Sequence, residues 1–114
     1  MSNTHYYRAF GLLFRSDITI PELAVAMPGE PDVILNRCTM TRPWPSPPAP
    51  HSYSFSPEEH YLCIVGYSRY IVHGGNRIDI EVHPDFQDEL IGLQMLGPVM
   101  AVLLHQRGML TLHG

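Results

Sequence analysis

Between Leu90 and Leu104 every position is apolar except Gln94. A run hydrophobic on all sides predicts a buried helix rather than one laid on a surface. About fifteen apolar residues fall short of the roughly twenty needed to cross a bilayer. Upstream the pattern changes to a period of two. Residues 5–15 (HYYRAFGLLFR) set Tyr6, Phe10, Leu12 and Phe14 on one face, with Arg8 the exception, and predict a strand. Gly11 inside it predicts a bulge or a close backbone approach. Residues 18–23 continue as a short extended piece, and residues 32–39 (DVILNRCT) form a second strand. Residues 61–65, 67–73 and 76–82 supply three more. In the last of these Ile78, Ile80 and Val82 alternate with Asp79 and Glu81, the signature of an antiparallel sheet with one dry and one wet face.

The breaks between these segments are explicit. Gly74-Gly75 marks a hairpin, because both positions accept the positive φ that tight turns demand. The stretch 41–57 carries Pro43, Pro45, Pro47, Pro48 and Pro50, too many prolines for helix or sheet. It reads as a stiff connector between strands, or alternatively as a ligand for an aromatic groove with Trp44 as anchor. His83-Pro84-Asp85 ends the sheet, and Asp85 or Asp88 can cap the helix that follows. Gly97 and Pro98 are expected to kink that helix, and Gly108 to close it with His105 and Arg107 in its last turn.

The architecture expected is therefore α+β: a mostly antiparallel sheet of about five to six strands packed on one long, kinked C-terminal helix. Its 114 residues make one domain, residues 1–114, with one core.

Composition narrows the chemistry. The net charge of −4 offers nothing to nucleic acid or an anionic membrane, and all seven cationic side chains are arginine. Without lysine the chain can hold neither a Walker-type phosphate loop nor a Schiff base. The seven histidines (His5, His51, His60, His73, His83, His105 and His113) show no metal-ligand spacing. No serine sits in a GxSxG elbow. Asp79 and Glu81 share a strand face and are read as solvated. Cys38 and Cys63 are expected to be reduced thiols, and the N-terminus has no secretory pattern, so the compartment expected is the cytoplasm. No catalytic, cofactor-binding or metal-binding residue is assigned.

Several stretches in order carry a resemblance: Tyr7-Arg8-Ala9-Phe10-Gly11-Leu12, Ser16-Asp17-Ile18, Pro21-Glu22-Leu23, Gly74-Gly75, and above all Leu104-His105-Gln106-Arg107-Gly108 leading into Leu112-His113-Gly114. Together they resemble the N-terminal region of HPr-kinase-like proteins, bacterial serine kinases related to HPr kinase/phosphorylase, including those of lasso-peptide-type gene clusters. The resemblance implies a non-catalytic N-terminal module, scaffold or peptide-substrate contact, for a kinase. The ATP- and Mg-binding loop of that kinase, GxxxxGK followed by Ser or Thr, would lie in a downstream domain absent here. The partners expected are that downstream kinase domain or a partner protein, and a peptide substrate. A second reading from the residues alone is a stand-alone binding protein, a homodimer through its apolar helix. A third, a small enzyme using the scattered histidines, has no spacing to support it.

Overall fold

In the computed structural model, residues 4–44, 50–64, 68–83 and 91–109 are described. Among them, seven strands of five or six residues and one two-residue strand form a single mixed sheet, with a short helical segment on one face. The strands are β1 (His5–Ala9), β2 (Leu12–Ser16), β3 (Ala24–Val25), β4 (Val33–Arg37), β5 (His51–Ser56), β6 (Glu59–Ile64), β7 (Ser68–His73) and β8 (Arg77–Val82), in the spatial order β3-β1-β2-β4-β8-β7-β6-β5. The fold is α+β.

The sheet is mixed, not the mostly antiparallel one that alternation suggested. β4 runs parallel to both of its neighbours, β2 and β8, while the other pairs are antiparallel. Alternation reports which face of a strand is dry. It carries no information about the direction of the neighbour.

Residues 5–15 form a hairpin, not one strand. Phe10 and Gly11 lie at φ 55° and 75°, and Ala9 pairs with Leu12 across this two-residue turn. The turn shifts the inward set by one position: Tyr7 pairs with Phe14, and Tyr7, Leu12 and Phe14 are buried while Phe10 is exposed. A phenylalanine at positive φ is held there against its Cβ sterics. Phe10→Asn, which tolerates that conformation and makes the turn Asn-Gly, should raise stability by about 1 kcal/mol in urea denaturation. A loss of stability would mean that the exposed ring has a packing role.

Residues 18–23 do not extend a strand. Ile18, Ile20 and Leu23 fold into the core, where the Ser16 hydroxyl donates to Ile18 O, and the Tyr7 hydroxyl accepts from the Ile20 N–H at 2.9 Å. They close the core beside the helical segment.

That segment is not one long kinked helix. It consists of α1 (Ile91–Gln94), a wide turn (Met95–Val99) and α2 (Met100–Gln106), and Gly97 leaves helical dihedrals at φ −103°, ψ −111°. Pro98 has no N–H to donate, so the main-chain ladder fails here. Residues 84–90, with the expected caps Asp85 and Asp88, lie outside the described residues. Ile91, Met95, Val99, Met100, Leu103 and Leu104 are buried against Phe14, Leu35, Tyr70, Val72, Ile78 and Ile80 in one core. Leu96, Gly97 and Pro98 remain exposed, so within this chain the segment is not covered on every side.

Gln94, the one polar side chain of the run, points into the sheet. Its Oε1 accepts from the Ser68 hydroxyl at 2.5 Å and from the Tyr70 hydroxyl. Tyr70 is fully buried. Burial pushes its pKa up to about 12, against a smaller opposing effect of its hydrogen bond with Ser68. An unfolded tyrosine titrates near 10, so the folded protein holds this proton more tightly. Its contribution is complete below pH 10 and is lost as the pH rises toward 12. Because the chain has no lysine, no lysine titration masks that window. Stability should therefore fall by about 2–3 kcal/mol between pH 10 and 12. Burial raises Tyr61 as well, so the Tyr70 share is read as the part of this decline that disappears in Tyr70→Phe. An unchanged slope in that variant would refute the assignment.

Candidate functional site

Two polar assemblies stand out. The first lies on the face of the sheet opposite the helical segment. Cross-strand pairing places Cys63 of β6, Arg69 of β7 and Glu81 of β8 in one row. The Arg69 guanidinium is 1 % exposed and meets Glu81 Oε1 at 2.7 Å. A charge so deeply buried is stable only with every donor paired. Arg69 donates to the main-chain carbonyls of Arg42 (2.7 Å) and Pro43 (3.2 Å), and its Nε donates to Glu81 at 2.9 Å. The Trp44 ring lies 4.2 Å from its carbon Cζ, and the edge of His83 closes on the indole at 5.2 Å. Burial works against the Arg69 charge, but hydrogen bonds with Tyr61 and Glu81 outweigh it and hold the guanidinium pKa above its ordinary value.

The cover over this row is the start of the proline-rich stretch. From the end of β4 the chain must reach β5 at the far edge, and it crosses the sheet to do so. The Cys38 N–H donates to Ile80 O of β8, and the Met40 N–H to Glu81 Oε1. The Arg42 and Pro43 carbonyls then meet Arg69 of β7, and the Arg42 guanidinium stacks 4.8 Å over the Tyr61 ring of β6. The face read as wet is therefore partly dry: Tyr61, Cys63 and Arg69 are buried, and the side chains of Asp79 and Glu81 are only 15 % and 13 % exposed. At its other end residues 51–56, placed in the connector by the sequence, pair with β6 as strand β5. Residues 45–49 lie outside the described residues.

The second assembly joins the helix end to the β7–β8 turn. Gln106 accepts from the Gly75 N–H at 2.7 Å and donates to Val72 O at 3.0 Å, while Arg107 donates to Gly75 O at 2.6 Å. Gly75, at φ 73°, has no room for a side chain, since a Cβ there would stand 2.6 Å from Arg107 Cγ. Gly108, at φ 71°, ends α2 in a left-handed cap with the Met109 N–H donating to Leu104 O.

The histidines fall in separate places. His5 bonds to Thr19. His60 sits between the Ser52 and Ser54 hydroxyls, where burial lowers its pKa and favours the neutral ring. His73 bridges Glu59 and Asp79 at 3.1 and 2.9 Å, and Arg77 also binds Asp79. His105 is exposed in the last turn of α2, and His113 lies outside the described residues. Among the described residues no three His, Cys, Asp or Glu side chains are grouped to hold a metal ion. Cys38 and Cys63 are free thiols, and Cys38 is raised in pKa by burial and by Asp79 and Glu81.

Sequence inspection singled out Trp44, Asp79, Glu81 and Gly74-Gly75 but missed Arg69. The available signal was an arginine directly before the aromatic and apolar run Tyr70-Ile71-Val72 in the strand Ser68–His73. No helix is long and apolar enough to cross a membrane among the described residues. Compared with protein-family models, curated proteins and solved structures, the chain matches none.

Proposed function

We propose that this chain is a non-catalytic N-terminal module of an HPr-kinase-like serine kinase, a scaffold or peptide contact for phosphoryl transfer by a downstream P-loop domain. The single observation that supports this reading is a latch between the stretch that carries the resemblance most specifically and the Gly74-Gly75 turn, another of the stretches that carry it. Gln106 and Arg107 of Leu104-His105-Gln106-Arg107-Gly108 hold Gly75 of the Gly74-Gly75 turn from both its N–H and its carbonyl. The latch orients the chain where it leaves α2, which is what a scaffold for a following domain requires. ATP and Mg²⁺ belong to that domain, since a chain without lysine cannot supply the loop itself.

The test is to read the coding sequence beyond Gly114 and assay the whole protein. The expected result is an in-frame GxxxxGK followed by Ser or Thr, and ATP-dependent phosphorylation of a serine-containing peptide. A stop codon directly after Gly114, or a complete protein that transfers no phosphate, would sink the proposal.

A second reading, a binding module without catalysis, is favoured by one observation, the aromatic-lined Arg69 row that already holds a peptide segment. Its partner surface would be that row rather than the helix, most of whose large apolar side chains are spent on the sheet.

A further inference from the structure

The contacts between residues 42–44 and the sheet have the form of peptide recognition. Proline lacks an N–H, so an extended proline-rich segment offers a partner only carbonyl acceptors and ring surfaces. A matching socket must supply donors and aromatic or cationic planes. Arg69 supplies both, donating to the carbonyls of Arg42 and Pro43 and presenting its guanidinium plane to the Trp44 ring. Tyr61 receives the side chain of Arg42 on its ring. Glu81 neutralises the socket and binds the Met40 N–H.

The socket is built without help from the segment it holds. Tyr61, Arg69 and Glu81 stand on β6, β7 and β8, which are joined by continuous antiparallel ladders and backed by the core on the other face. Residues 38–44 belong to no strand or helix. Among the described residues, the contacts that hold them on this face include the Met40 N–H, the Arg42 and Pro43 carbonyls and the stacked side chains of Arg42 and Trp44.

We infer that Arg69, Tyr61 and Glu81 form a docking socket for a peptide of the type Arg-Pro-Trp, filled in this chain by its own residues 42–44 as a detachable ligand. The inference does not depend on a kinase domain following the chain. A tethered ligand competes at an effective concentration on the order of millimolar, so a free peptide gains access only when the tethered one is weakened.

Trp44 is the only tryptophan in the chain, which makes the test direct. Trp44→Ala removes the tethered anchor and leaves a protein with no indole of its own. Adding the peptide acetyl-Thr-Arg-Pro-Trp-Pro-Ser-amide should then give a saturable blue shift of its emission with half-saturation below about 1 mM, the tethered concentration. The same residues in reverse order should give none. A folded Trp44→Ala protein that produces no saturable shift up to several times that concentration overturns the inference. Hydrogen exchange of the unaltered chain provides a measurement that needs no variant. A detachable segment opens without the sheet, so the Met40 amide and the Trp44 indole N–H should exchange at least about 100-fold faster than the amides of Val72 and Ile80. Equal protection at all four would show that residues 40–44 unfold only with the core, and would also overturn it.

Discussion

Replacing Arg69 by alanine should destabilise the protein by about 3–5 kcal/mol, the cost of leaving one member of a buried ion pair alone. The magnitude follows from what is left behind. Glu81 keeps its charge under cover, and the carbonyls of Arg42 and Pro43 lose their donor. Each buried acceptor stranded in this way adds to the loss. The measurement is urea denaturation followed by circular dichroism, with Trp44 emission recorded in parallel. The emission should move to longer wavelength in the folded baseline, because the ring loses the guanidinium beneath it. Arg69→Lys should recover little, since an ammonium cannot serve the carboxylate, two carbonyls and an aromatic plane together. Arg69→Met combined with Glu81→Leu should recover only the part due to the unpaired charge, because the Arg42 and Pro43 carbonyls and the Met40 N–H still lose their partners. A loss below about 1 kcal/mol in Arg69→Ala, the range of an exposed pair, would mean that water already reaches the site.

Gly75→Ala should cost about 3 kcal/mol. The left-handed conformation accounts for about 1–2 kcal/mol of this for alanine. The remainder comes from the latch, where the new Cβ meets Arg107 Cγ at 2.6 Å and the Arg107 main-chain nitrogen at 3.4 Å. The side chain of Arg107 can swing away, but only by giving up its hydrogen bond to Gly75 O. Gly75→Asn separates the two effects, since asparagine tolerates the backbone conformation while its Cβ still collides. A cost equal to that of alanine would assign the whole effect to the collision, and a cost near zero would show that the latch yields freely. Under the proposed kinase reading, the same substitution in the whole protein should lower phosphoryl transfer without altering nucleotide affinity.

The legible parts of this molecule are the local ones. Ile78, Ile80 and Val82 alternate as a strand with one dry face. Gly74-Gly75 turns the chain at positive φ, and Gly108 closes α2, because in each case the cause lies within a few residues of the effect. The hairpin at Phe10-Gly11 is also local, but a phenylalanine in a left-handed position carries no turn signal of its own, and the period-of-two pattern runs through it.

The candidate site was not legible in this way. Arg69 is buried because residues 40–44 cross the sheet above it, and they cross because β4 lies in the middle of the sheet while β5 lies at its edge. Parallel pairing of β4, the short broken form of the helical segment, and the cover over the supposedly wet face depend on contacts between residues far apart in the chain. The sequence by itself determined where strands run and turn, through side-chain period and the sterics of glycine and proline. Only the tertiary structure decided strand order, the path of the proline-rich segment and the burial of one arginine, because those depend on which distant surfaces exclude water together.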